Sequence, residues 1–326
     1  MKGRIFAFLR VSVSVGLIAF LVWNMRAHLP RIGSTIARTQ APLFVLAVIL
    51  FMANAIIVSI RLKLLFIGEN LRIPFGRVVQ LSYIGFFFNN FMPTAVGGDI
   101  VKAYYAKKQT KKTAKSFISV FMDRFIGTIS FGLIAVIALC FSWENIDGSL
   151  KKIVFIFALG GIAGLFIILS PSAAKLIRNG LLKFKFLGIG KTLAKIYTAV
   201  HEYRKKKALI SAVTGVSLIA QVLYFLIIYL LAKSLGADLR LMSILLIMPV
   251  VSLVSMLPSL GGLGIRESAF VILFGPLIGS DNAFSVSILL LATLLIISLV
   301  GAVIYLSAAQ FRVGRDDMRK LESYSV

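Results

Sequence analysis

Apolar runs about as long as a bilayer is thick follow one another along this chain, and two are broken by nearly the same short sequence. The first break reads Met92-Pro93-Thr94-Ala95-Val96-Gly97-Gly98-Asp99-Ile100-Val101-Lys102. The second reads Leu257-Pro258-Ser259-Leu260-Gly261-Gly262-Leu263-Gly264-Ile265-Arg266-Glu267. Each has a helix-breaking proline, a small hydroxyl residue, a Gly-Gly pair, then an acid and a base close by. Broken helices at matching places in two halves of a membrane protein point to a transporter's binding site.

The apolar runs set the class. The chain is 59% hydrophobic with 15% charged residues, and its mean hydropathy is +0.95. These values predict an all-α polytopic integral membrane protein. The net charge of +24 does not predict nucleic-acid binding, because the excess lies in loops between apolar runs. There it orients the spans and attracts anionic lipid headgroups. Cys140 is the lone cysteine and sits in an apolar run, which excludes disulfides and cysteine-based metal sites. His28 and His201 lie far apart and read as solvated loop residues. No metal site and no cofactor are expected.

The first apolar run ends near Trp23 and is followed by Asn24-Met25-Arg26-Ala27-His28, with no small-residue cleavage site. It reads as an uncleaved span. Further runs cover about 42–60, 78–96, 117–141, 153–169, 209–231, 242–257, 265–278 and 284–308. Between them, 61–77, 102–115 and 172–207 are basic and are expected in the cytoplasm. Within 172–207, Leu193, Ile196, Tyr197 and Val200 recur at helical spacing, which suits a helix on the membrane surface or an ordinary basic loop.

Charge then predicts topology. If 61–77 and 102–115 are both inside, the first broken segment enters and leaves on one side. By the same logic 242–278 returns to the outside. About six full spans plus two re-entrant helical hairpins result, dipping from opposite faces as in an inverted repeat. The expected organisation is one transmembrane domain over 1–312, with halves near 1–170 and 171–312 and a cytoplasmic tail at 313–326. The expected location is the plasma membrane.

The breaks suggest a chemistry. Gly97-Gly98 and Gly261-Gly262 let a ligand approach the backbone closely. A helix is expected to start after each pair, at about 99 and 263, presenting free N–H groups that suit phosphate. Lys102 and Arg266 lie one turn in, and Thr94 and Ser259 supply hydroxyls. Asp99, Asp123 and Glu267 lie in or beside apolar stretches, where ionisable groups are costly and point to function. Arg124 with Asp99, or Asp123 with Lys102, are plausible pairs, and direct ligand contact is the alternative. Asn89 and Asn90 need hydrogen bonds if buried, from a ligand or from the Pro93 turn. The competing account is that proline and glycine only kink packed spans while the bases reach to the interface.

Asn90, Pro93-Thr94, Gly97-Gly98-Asp99, Lys102-Ala103-Tyr104, Asp123-Arg124, Pro258-Ser259 and Gly261-Gly262-Leu263-Gly264 with Arg266-Glu267 together resemble the transmembrane region of lysylphosphatidylglycerol synthases. That family is also called flippase-like. Lys102 stands where arginine is usual and Asp123 where glutamate is usual. Both keep the charge, but lysine lacks the bidentate fork. The resemblance implies movement of a lipid between leaflets. The soluble domain that transfers the aminoacyl group in fused members is not expected here, since the chain ends soon after its last span. The expected partner is an anionic phospholipid or a polyprenyl-phosphate-linked lipid, held by the residues just named. The alternatives are a membrane glycosyltransferase using a polyprenyl-phosphate sugar and a non-catalytic envelope-assembly partner. Sequence assigns neither the coupling ion nor the oligomeric state.

Overall fold

The computed structural model describes residues 34–35, 37–91, 97–142, 152, 155–156, 159, 203, 205–256 and 264–307. The expected first span, the run at 153–169, the segment 172–202 and the tail lie almost wholly outside the described residues. So do Thr94, Ser259, Gly261 and Gly262.

Eight principal helices make up the described part: α1 (Ala41–Gly68), α2 (Phe75–Phe91), α3 (Gly97–Thr110), α4 (Thr113–Ser142), α5 (Lys207–Ser234), α6 (Leu241–Val254), α7 (Ile265–Ile278) and α8 (Ser280–Ser307). The chain is an all-α multi-pass membrane protein. α1, α4, α5 and α8 are long and apolar enough to cross a bilayer. At about 1.5 Å per residue, each exceeds a hydrocarbon core of about 30 Å. The other four helices have 17, 14, 14 and 14 residues. By the same rise they reach about 21–26 Å, short of that thickness.

Local sequence explains the boundaries. Pro42 sits in the first turn of α1, where its missing N–H is no loss. α1 stops at Gly68, Asn70 takes φ 57°, and Pro74 holds the preceding chain extended before α2. A second reversal at Lys111, φ 60°, separates α3 from α4. α1 is apolar over most of its surface, with Asn54 and Arg61 on its inner face. Val45, Ile49, Ile56, Ile60 and Ile67 are exposed along one face, the side left for lipid, while Ala47, Phe51, Ala55, Leu62 and Leu65 are buried.

Two basic segments are shorter loops than expected. Arg61 and Lys63 belong to α1, which continues eight residues beyond the apolar run and leaves only 69–74 as the loop. The segment 102–115 is mostly α3, and Lys102 is buried within it. A helix continues past the end of an apolar run when its last charges find partners in the bundle, and run length cannot register that.

The helices fall into two runs of the same order: long, short, short, long. Packing repeats when the runs are exchanged. α2 packs on α8 and α6 on α4; α3 packs on α4 and α7 on α8; α2 pairs with α3 and α6 with α7. α1 and α5 share an extensive contact and run antiparallel. At one end of this pair the Gln40 amide donates to the Ser234 carbonyl at 2.8 Å; at the other Lys206 Nζ donates to the Gly68 carbonyl at 2.8 Å. Lys206 also pairs with Glu69 at 2.6 Å and lies over the buried Tyr203 ring. Burial there, with Glu69 alongside, pushes the Tyr203 phenol up.

The core lies between α1, α5, α6, α7 and α8, built on Phe51, Phe225, Ile228, Leu231, Met248, Phe270, Phe274 and Leu290. α2 meets α8 backbone to backbone. A Cβ on Gly301 would overlap the Tyr83 carbonyl, so only glycine permits this approach. Gly301→Leu should therefore destabilise the bundle by about 1–3 kcal/mol through overpacking. Exposed Gly215, which has open space at its Cβ position, should tolerate alanine with a change of about 0.5 kcal/mol or less. Thermal unfolding in detergent compares the two variants, and equal melting would contradict the close contact.

Candidate functional site

A cavity of about 300 Å³ lies inside the bundle and takes lining residues from all eight helices. On α1 these are Phe51, Asn54, Val58 and Arg61, spaced three, four and three apart on one face. α2 supplies Asn89 and Asn90, α3 Asp99 and Lys102, and α4 Asp123, Arg124, Gly127 and Thr128. Gln221 of α5, Ser252 of α6, Arg266 of α7 and Leu294 of α8 complete the circuit.

The position follows from the two pairs of short helices. α3 ends at Thr110, beside the end of α1, where Lys112 Nζ donates to the Asn70 carbonyl. α7 ends at the other end of the bundle, where Ser280 and Asp281 share a surface cleft with Thr35, Arg38 and Leu235. Asp99 is eleven residues in from the outer end of α3, and Arg266 twelve from that of α7. At helical rise each lies about 16–18 Å inside its own end. The N-terminal turns of α3 and α7 therefore enter from opposite ends and reach the same central cavity.

Glycine and asparagine shape the first of these turns. A Cβ on Gly98 would overlap the Gly85 carbonyl, so α3 lies against α2 with nothing between them. The Gly98 amide, one of the donors a helix start leaves unpaired, donates to Asn89 Oδ1 at 2.8 Å. Asn90 Nδ2 donates to Ser298 Oγ and to the Leu294 carbonyl on α8. The two asparagines thus brace the tip of α2, one toward α3 and one toward α8.

Every described charge around the cavity lies within ion-pair distance of an opposite one. Lys102 Nζ donates to Asp99 Oδ1 at 3.0 Å, and Arg124 Nη1 lies 3.3 Å from Asp99 Oδ2. Arg61 Nε donates to Asp123 Oδ1 at 2.7 Å, and its Nη1 donates to Ser217 Oγ at 2.9 Å. Arg266 Nη2 donates to Glu267 Oε1 at 2.9 Å, and the other oxygen of Glu267 accepts from the Gly264 amide. Asp99, Lys102, Asp123, Arg61, Arg266 and Glu267 are all buried. Buried ionic groups of this kind are stable only when paired and hydrogen-bonded.

Asn90, Asp99, Lys102, Asp123, Arg124 and Arg266 line the one cavity, with Glu267 held through Arg266. Gly97 and Gly98 are buried at the start of α3. The expected Arg124–Asp99 pair is present. Asp123 pairs with Arg61 rather than Lys102. Run length placed Arg61 in a loop; the signal that finds it is its three-four-three spacing with Phe51, Asn54 and Val58. Ser217 and Gln221 of α5 carried no motif, yet Gln221 Nε2 donates to the Gly127 carbonyl at 3.1 Å and ties α5 to α4.

The Arg61–Asp123 pair supports a stability prediction. Either Arg61→Ala or Asp123→Ala leaves an unpaired buried charge and should cost about 3–5 kcal/mol. The double variant Arg61→Met/Asp123→Leu removes both charges and should recover most of that loss. Unfolding of the single and double variants in detergent reads the coupling, and strictly additive losses would show that the pair does not act as a unit.

Comparison with known proteins places this geometry. Residues 7–303 match the lysylphosphatidylglycerol synthase transmembrane region. The chain is also similar to a UPF0104 membrane protein from Pyrococcus horikoshii, 25% identical over 92% of this chain and 96% of that protein. The match takes in α1 to α7, all but the last four residues of α8, and every charged residue of the cavity. The chain belongs to the lysylphosphatidylglycerol synthase transmembrane-region family.

Proposed function

We propose that the protein moves an anionic lipid between leaflets, its headgroup crossing through the central cavity while the acyl or prenyl chains stay in hydrocarbon. The observation that carries this reading is the cavity itself. It lies deep between the helices, away from both ends of the bundle, and arginine and lysine from both pairs of short helices line it. A phosphate is too costly to carry bare through hydrocarbon, and a polar groove inside protein removes most of that cost.

In this reading α2–α3 and α6–α7 are re-entrant hairpins of an inverted repeat. Three features support it: the short arms, the antiparallel α1–α5 pair, and packing that repeats on exchange of the two runs. Access alternates as one hairpin and its neighbours rock against the other. The headgroup meets Lys102, Arg124 and Arg266. Asn90, Gly97 and Gly98 lie beside it, Thr94, Ser259, Gly261 and Gly262 add polar and backbone contacts to it in this proposal, and Asp99, Asp123 and Glu267 hold the cations in place. The end carrying Glu69, Lys112, Lys115 and Lys206 faces the cytoplasm, and the end carrying Asp238 faces out across the plasma membrane.

Two measurements test this. Full-length protein in phosphatidylcholine vesicles with tail-labelled phosphatidylglycerol should carry inner-leaflet label to the outer leaflet, where dithionite quenches it. Replacing one ion pair by neutral residues, Asp99→Asn/Lys102→Gln, should preserve folding and slow crossing by about tenfold or more. Unchanged crossing would sink the site. Sugar transfer from a polyprenyl-phosphate sugar without lipid crossing would favour the glycosyltransferase. For orientation, single cysteines replacing Lys112 and Asp238 in a Cys140→Ser background should be protected from and open to an impermeant thiol reagent, respectively. The reverse labelling would invert the topology.

A further inference from the structure

The charges around the cavity do not balance. Arg61 is matched by Asp123 at 2.7 Å, Arg266 by Glu267 at 2.9 Å and Lys102 by Asp99 at 3.0 Å. Arg124 is the fourth cation, and it shares Asp99 with Lys102. Its Nη1 lies 3.3 Å from Asp99 Oδ2, yet that buried oxygen has no hydrogen-bond donor among the described residues. The Arg124 side chain is 32% exposed, against 10% or less for the other six members of these pairs. The segments 92–96 and 257–263, outside the described residues, contain no ionisable side chain. Among the described residues four cations therefore face three carboxylates, and the cation in excess is the most exposed of them and lines the cavity.

We propose that this single uncompensated positive charge selects a headgroup of net charge minus one, a phosphodiester, and that Arg124 is the residue that sets the selectivity. The inference rests on the lipid-moving reading above and narrows its substrate class. Inside a bundle at membrane depth, the net charge of site plus ligand dominates the cost of occupancy. A phosphodiester brings the sum to zero. A zwitterionic headgroup leaves the site positive, and a phosphomonoester, at nearly two negative charges, turns it negative. Arg124 has the planar fork that grips two phosphate oxygens at once, which its partner Lys102 lacks. The phosphodiester belongs either to a glycerophospholipid or to a prenyl-linked sugar phosphate, since both carry the same group.

The test is headgroup competition. Full-length protein is reconstituted in phosphatidylcholine vesicles with tail-labelled phosphatidylglycerol, phosphatidylethanolamine, phosphatidic acid or a prenyl phosphosugar, at about pH 8 so that the monoester is a dianion. Phosphatidylglycerol or the phosphosugar should cross about tenfold faster than phosphatidylethanolamine and phosphatidic acid; whichever of the two is faster names the source. Arg124→Gln, which makes the site neutral, should erase the preference over phosphatidylethanolamine, and Arg124→Lys should restore it. Equal crossing of phosphatidic acid by the unaltered protein overturns the proposal, with no reliance on a variant that folds. A preference that survives in folded Arg124→Gln overturns it as well. If the unaltered protein moves no lipid at all, the lipid-moving reading itself fails, an outcome distinct from loss of selectivity.

Discussion

A charge placed in the middle of a membrane bundle has to find its opposite there, and much of this architecture follows from that constraint. Arg61–Asp123 joins α1 to α4, with Ser217 drawing in α5. Lys102 and Arg124 share Asp99 and so join α3 to α4. Arg266 and Glu267 close the first turn of α7, where Glu267 also takes up the Gly264 amide. Apolar side chains alone give little preference for one helix over another in lipid, because the surrounding chains are as apolar as leucine. The ion pairs and the polar braces at Asn89, Asn90 and Gln221 supply the missing specificity.

The same pairs explain how a cavity persists in the interior. Side chains anchored by opposite charges cannot collapse into the space, and a polar lining keeps that space compatible with water or a headgroup. The short helices fix its depth. The N-terminal turns of α3 and α7 stop in the middle of the bundle, so backbone donors and cations meet where a spanning helix would offer only its flank. Close backbone contact at Gly98 and Gly301 sets α2 firmly against α3 and α8. The α4–α6 contact, built on Ala135, Ala138, Leu139, Leu246 and Val250, is apolar. A contact of that kind can slide without breaking hydrogen bonds.

How legible this was from sequence varies with the length scale of each interaction. The long helices and the short apolar ones α2, α6 and α7 were readable because apolar length and helix breakers act locally, and 265–278 was located to the residue; α3 showed only its start, because its polar body reads as a basic loop. Helix starts expected at about 99 and 263 fall at Gly97 and Ile265, the usual uncertainty of a boundary. The Arg124–Asp99 pair was one of two pairings open in sequence. Arg61 was read as loop because charge at the end of an apolar run is ambiguous: it marks a helix leaving the membrane or a helix meeting a partner. Asp123 lies 62 positions away in the chain, and nothing local signals that contact.

The sequence by itself determined the class of protein, the apolar helices and the breaks between them, and the small set of charged residues near apolar runs. Those depend on hydropathy and on the backbone limits of proline and glycine, which act over a few residues. The tertiary structure decided which charges pair, and that Asp99, Lys102 and Arg266, half a chain apart, line one cavity. Burial converts a list of charges into a site, and burial exists only once distant helices have packed.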